Sequence, residues 1–155
     1  LSDMGTINFD YAATFLDSIY AISIPGDDKV ECSGKYAGPC ELPTPEYNHR
    51  FLATWLTPYD VVVSATWRHV GETDLFGLEE SRGYLEDSME TRDYLDLAAT
   101  YDVNENVSVR VGANNILGED APVSTAVGTG TGNNNTYPGL FDVSTYLFAG
   151  VTVKF

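Results

Sequence analysis

Basic residues are scarce in this chain: 8 lysines and arginines stand against 23 aspartates and glutamates, a formal net charge of −15. Nucleic acid is therefore a poor partner, because binding it needs a basic footprint that displaces counterions. Anionic lipid head groups are disfavoured for the same reason. Long apolar runs are missing as well. No stretch approaches the roughly 18 uninterrupted apolar residues of a membrane-spanning helix. Leu1 to Asp10 holds no basic segment followed by an apolar one, so no export signal is visible. On its own that suggests a cytosolic protein; the alternative is a chain belonging to a longer precursor. Histidine is limited to His49 and His69. No serine, histidine and carboxylate are grouped by spacing and no phosphate-cradling loop is present, so the expectation is a protein that is not an enzyme, with no catalytic residues and no cofactor.

Cysteine is limited to Cys32 and Cys40, in a segment rich in glycine, proline and charge. The pair reads most simply as one disulfide, implying an oxidising compartment, with two free thiols as the alternative. A metal site would need more ligands than that segment offers.

What the chain has in quantity is alternation of period two, the signature of strands with one apolar face. Ile7, Phe9, Tyr11, Ala13 and Phe15 alternate with Asn8, Asp10, Ala12 and Thr14. The pattern returns at Tyr47 to Trp55, Val61 to Trp67, Leu95 to Tyr101, Val107 to Ala113 and Leu147 to Phe155. The spacing predicts an all-β chain, an antiparallel meander of six long strands near 5–24, 46–57, 61–70, 93–102, 107–116 and 141–155.

The connections alternate in length. Thr57 to Asp60 and Asp102 to Asn106 are tight, whereas Pro25 to Glu46, Gly71 to Arg92 and Leu117 to Leu140 are long. Loops beyond about 15 residues are uncommon in compact soluble domains. Short turns at one end and long loops at the other characterise outer-membrane barrels, whose short turns are periplasmic. Pairing Phe51 with Trp67, and Tyr101 with Val109, keeps the apolar faces of both hairpins on the same side of the sheet. Trp55, Tyr59 and Tyr101 lie beside the short turns, where an interfacial girdle belongs. The rival is a soluble sandwich of two packed sheets, though its strands are usually about five or six residues long. Six strands cannot close round a filled interior, for which about eight is the minimum, and open edges are not tolerated in hydrocarbon. The chain is thus expected to be a piece of a larger barrel or one subunit of a shared one, the piece being simpler. Alone it should aggregate.

The stretch Val107-Ser108-Val109-Arg110-Val111-Gly112-Ala113-Asn114-Asn115-Ile116-Leu117 resembles the penultimate strand of TonB-dependent receptors, which typically ends in Gly-x-x-Asn-(Leu or Ile). Asn135-Thr136-Tyr137-Pro138, then Phe141-Asp142, is similar to the family's lead into its last strand, and Phe148-x-Gly150 with Phe155 completes it. Tyr94-Leu95-Asp96-Leu97, Pro45 to Arg50 and the cysteine-bearing loop also look like family features. The chain departs at Thr145-Tyr146, where the family often has Gly-Arg, and at Pro122, where it often has two prolines. The resemblance implies the carboxy-terminal part, residues 1–155, of a barrel of about 22 strands. It implies the outer membrane of a Gram-negative bacterium, with long loops extracellular. The partners implied are outer-membrane lipid, the rest of the barrel and its plug domain, TonB through the parent protein, and the outer-membrane assembly machinery. That machinery would read Leu147, Ala149, Val151, Val153 and Phe155. The parent would bind a scarce extracellular solute and import it with TonB-supplied energy. A structural or adhesin barrel, or a secreted sandwich binding through acidic loops, are the rival functions.

Arg50, Arg68, Asp96 and Arg110 fall on the polar face as lumen-facing candidates. They suit charge-assisted bonds to a plug, or simply a hydrated wall with local ion pairs. His49 and His69 face each other in the expected register; interfacial polar residues are the plainer reading beside a metal pair that lacks further ligands. The three long loops carry 5 acidic against 2 basic residues, 7 against 2, and 2 against 0, so ten of the net fifteen negative charges sit at one end. Bridging by Ca²⁺ or Mg²⁺ is one use of such charge and a solvated surface the other. The acidity disfavours an anionic ligand, and the residues name none. Gly112 and Gly150 are expected to allow close approach or curvature.

Overall fold

A computed structural model describes residues 4–77, 88–124 and 136–155. The middles of the second and third long connections, 78–87 and 125–135, lie outside the described residues, as do four of the acidic side chains counted above (Glu79, Glu80, Glu86 and Asp87) and Asn135 of the family-like stretch.

The strands in chain order are β1 (Thr6–Phe15), β2 (Tyr20–Ala21), β3 (Val30–Glu31), β4 (Lys35–Tyr36), β5 (Tyr47–Leu56), β6 (Val61–Val70), β7 (Thr73–Leu75), β8 (Ser88–Met89), β9 (Arg92–Asn104), β10 (Val107–Asn114) and β11 (Tyr146–Val153). Six long strands form one antiparallel sheet in the order β1-β5-β6-β9-β10-β11. Among the described residues the sheet is open, with β1 and β11 as its edges.

The register is that of the alternating apolar residues. Phe51 opposes Trp67, Ala53 opposes Ala65 and Trp55 opposes Val63. Tyr101 opposes Val109, Ala99 opposes Val111 and Leu97 opposes Ala113. The outer pairs continue the rows, Phe9 against Ala53 and Ala113 against Leu147. A slip of one residue anywhere would send a whole strand's apolar set to the other side. One face therefore carries the alternating apolar rows of all six strands, while Leu52, Val62, Val70 and Phe148 fall on the other. The opposite face carries Asp10, Arg50, Arg68, Asp96 and Arg110.

Strand ends differ from the sequence expectation for local reasons. β1 stops at Phe15 rather than running to residue 24: Leu16 donates one more backbone bond to Glu46 at 2.8 Å, after which the Ser33 hydroxyl takes the Leu16 carbonyl at 3.0 Å. Tyr20 and Ala21 then pair separately with β3. β9 runs on to Asn104, with a bulge between Val107 and Ser108, so the turn is only Glu105–Asn106. The Asn104 side chain closes it by accepting the Asn106 N–H at 2.9 Å. β10 ends at Asn114 because Asn115 takes a left-handed backbone, φ 52°, a conformation asparagine tolerates better than most residues. The last strand begins at Tyr146 rather than 141, because Phe141 and Asp142 belong to the loop packing.

That packing holds the core. The buried cluster is Tyr36, Val70, Leu75, Met89, Tyr94 and Phe141, and the long sheet supplies only Val70 and Tyr94. Instead of three independent loops, the segments interlock: β4 of the first pairs in parallel with β7 of the second, and β7 with β8. Each large side chain buried there contributes about 2 kcal/mol. The sheet's apolar face is the reverse: Phe9 is 69% exposed, Val151 66% and Leu147 74%.

Candidate functional site

Two regions carry chemistry: the even-numbered polar face of the sheet and the loop cap at its end. On the polar face Arg68, near the loop end of β6, reaches across to β9. It donates to Asp96 from Nε at 2.9 Å and from Nη2 at 3.1 Å, a two-pronged geometry that suits guanidinium and carboxylate. Nη2 also donates to Asp142 of the last loop. Below the guanidinium lies the Tyr94 ring, 5.0 Å away. Asp96 in turn accepts the backbone N–H of Asn115 at 2.8 Å. The four lumen-facing candidates thus share a face but not a site. Arg50 stands opposite Arg68 in the register yet turns to Asp10 at 3.9 Å, both largely exposed. Arg110 lies 5.4 Å over the Phe148 ring.

That ring occupies the space left by Gly112, its register partner; a Cβ at 112 would collide with Phe148 and with the Leu97 carbonyl. The close approach expected of Gly112 is present. At Gly150 an added Cβ would meet nothing within 4 Å, so that glycine is not crowded.

The cap is tied to this face at several points. The Asn115 side chain closes a loop on Glu119, donating to its carbonyl at 2.8 Å and accepting its N–H at 3.0 Å. The Thr145 hydroxyl donates to the Asn115 carbonyl at 2.7 Å, joining the feet of the last loop. Tyr36 and Ser124 share a hydroxyl bond of 3.2 Å. The Tyr137 hydroxyl donates to the Glu41 carbonyl at 2.9 Å. Burial pushes the Tyr137 phenol above its ordinary value.

Cys32 and Cys40 form a disulfide, with Cα atoms 5.4 Å apart. Beside it the Glu31 carboxylate accepts the N–H groups of Ser33 at 2.9 Å and Ile19 at 3.0 Å. Those backbone donors, Ser33 first, hold its pKa below the usual glutamate value. An apolar cleft of about 340 Å³ opens between Leu42 and Pro43 of the first loop and Tyr137, Pro138, Gly139 and Leu140 of the last.

No protein-family model, no curated protein and no solved structure matches this chain. Function is therefore argued from its own residues.

The residues proposed for the assembly signal are placed as follows. Leu147, Ala149, Val151 and Val153 sit on the apolar face of edge strand β11, opposite Ala113, Val111, Val109 and Val107. Phe155 follows, fully exposed. His49 and His69 oppose each other on the same apolar face, near the loops. No group of three or more histidine, cysteine, aspartate or glutamate side chains able to hold a metal occurs among the described residues.

The spacing missed Asp142, Tyr94 and Asn115 as members of the polar cluster. The expected last strand, 141–155, takes in Asp142, and the expected fifth, 107–116, takes in Asn115. Phe141-Asp142-Val143-Ser144 keeps the parity of Leu147, so alternation alone carried no signal that Asp142 leaves the strand.

Proposed function

We propose that this chain is part of an outer-membrane β-barrel, the carboxy-terminal segment of a TonB-dependent receptor that takes up a scarce solute. The observation that carries the barrel is the inverted distribution of apolar groups. All six long strands expose their apolar rows on one face, while the buried side chains gather at the loop end. A soluble protein rarely leaves so continuous an apolar surface uncovered; hydrocarbon is the solvent in which it is stable. The polar opposite face suits a wet or plugged lumen, and the open edges β1 and β11 suit continuation into further strands.

The receptor assignment rests on the resemblance of Val107 to Leu117 and of the Phe141-Asp142 segment to that family. On this reading the loop cap faces the outside and the turns at Thr57–Asp60 and Glu105–Asn106 face the periplasm. Energy reaches the parent through TonB and its plug. This segment binds and positions, and catalyses nothing.

The test is the intact mass and membrane fractionation of the native gene product. A chain on the order of four times longer, in the outer membrane and preceded by a plug, is the expected outcome for a barrel of about 22 strands. An outer-membrane barrel with an empty lumen would leave the barrel standing and remove the receptor. A 155-residue product in the soluble fraction would replace both with a sandwich.

A further inference from the structure

At the loop end of β5 and β6, on the apolar face, His49 and His69 lie directly opposite each other. Their rings stack, with centroids 5.0 Å apart and planes 10° apart. The two are unequally surrounded. His69 Nδ1 lies 3.0 Å from Asp93 Oδ1, the oxygen that also accepts the Trp67 indole N–H at 2.6 Å. Both ring nitrogens of His49 are shut off from solvent and meet no partner among the described residues. Trp67 closes on that ring edge-on at 4.5 Å, with Tyr11 at 5.6 Å and Tyr47 at 5.5 Å.

The stack adjoins the feet of two long loops. Gly71 N–H is shared between the Tyr47 carbonyl and Asn48 Oδ1, each at 3.1 Å. A cavity of about 450 Å³ opens beside His69, Tyr47 and Gly71.

We propose that the His49–His69 stack is an acid-sensitive clasp on the feet of the first and second long loops, closed while at most one ring is charged and parted when both are. Histidine changes charge between about pH 5 and 8. The charged and titratable groups facing the pair are Asp93 from β9, Tyr11 from β1, Tyr47 from β5 and, lining the cavity beside His69, Glu46, Glu72 and Asp74. Asp93 is hydrogen-bonded to His69 and can pair with one charged ring. With both rings charged, like charges face each other across the stack, and the His49 nitrogens have no acceptor among the described residues. The rings then separate, and the Tyr47–Gly71 junction loosens with them. The clasp stands on the stack's own geometry and does not depend on the barrel.

The test uses the native gene product in whichever fraction it occupies. Amide exchange, corrected for its intrinsic pH dependence, is compared at pH 8 and pH 5 over peptides covering Tyr47–His49 and His69–Gly71, with Leu95–Ala98 as reference. The expected result is a several-fold rise at the two loop feet, absent from the reference. His49→Phe, which keeps an aromatic ring against Trp67, and His69→Phe should each remove the rise. A flat response in the unsubstituted protein overturns the proposal whether or not either variant folds. A rise that survives in either variant overturns it too.

Discussion

Arg68 grips Asp96 through two hydrogen bonds, at 2.9 and 3.1 Å, and the same guanidinium holds Asp142 of the last loop. All three side chains are less than a third exposed. Two of the residues expected on the polar face thus pair with each other and anchor a loop.

Arg68→Met should consequently destabilise the cap and leave Asp96 and Asp142 without their cation. Charge-assisted hydrogen bonds contribute about 2 kcal/mol each, so a loss of about that size or more is expected in denaturant unfolding. Asp142→Asn should cost less, since Asp96 remains. Limited proteolysis should cut the last loop sooner in both. Equal stability of Arg68→Met and the unsubstituted protein would show that the anchor contributes nothing.

Replacing Cys32 and Cys40 together by serine opens a loop with a sequence separation of 8. Chain-entropy arguments put the loss at about 2–3 kcal/mol for so short a loop. The loss should appear as faster amide exchange over Val30–Glu46, with β9 and β10 unchanged. Reduction of the unsubstituted protein should reproduce it.

Glu31 sets a pH dependence whose sign follows from its lowered pKa. The carboxylate form is the one that holds the Ser33 and Ile19 amides. Its contribution is therefore complete above the ordinary glutamate value and is lost as pH falls through the depressed folded value. Protection of those two amides should persist below the ordinary glutamate titration and then disappear. In Glu31→Gln it should be weaker than in the unsubstituted protein at neutral pH and independent of acid. A loss of protection on raising the pH would contradict the assignment.

Leu97→Arg separates lipid from water as the medium of the apolar face. Leu97 is already 40% exposed in the isolated sheet, so in a soluble protein the change should stay within about 0.5 kcal/mol. At the middle of a bilayer it should cost about 2–4 kcal/mol and lower the amount assembled in the outer membrane. Thr152→Arg, on the opposite face of β11, should be tolerated. Equal behaviour of the two variants would remove the lipid-facing assignment.

Much of the sheet was legible from the chain. Phe51 against Trp67 and Leu97 against Ala113 follow from alternation and a short turn, because register across a tight hairpin is a local property. The polar set Arg50, Arg68, Asp96 and Arg110 followed from the same parity. What was not legible was which of them would meet. Arg50 and Arg68 oppose each other and still turn to separate carboxylates, one on β1 and one on β9. Strand ends were misjudged where side chains replace ladder bonds: Ser33 at Leu16, Asn104 at the second turn and Asn115 beyond β10.

The sequence by itself determined the period-two strands, the alternation of short and long connections, and the segregation of apolar from polar faces, since all three depend on residues near one another in the chain. Only the tertiary structure decided that the long loops form a single core. Tyr36 meets Ser124 across a separation of 88 residues, and Tyr137 meets Glu41 across 96. No periodicity encodes such pairs: they exist because the sheet first brings the three loops to one end, where their large side chains can leave water only by packing on each other.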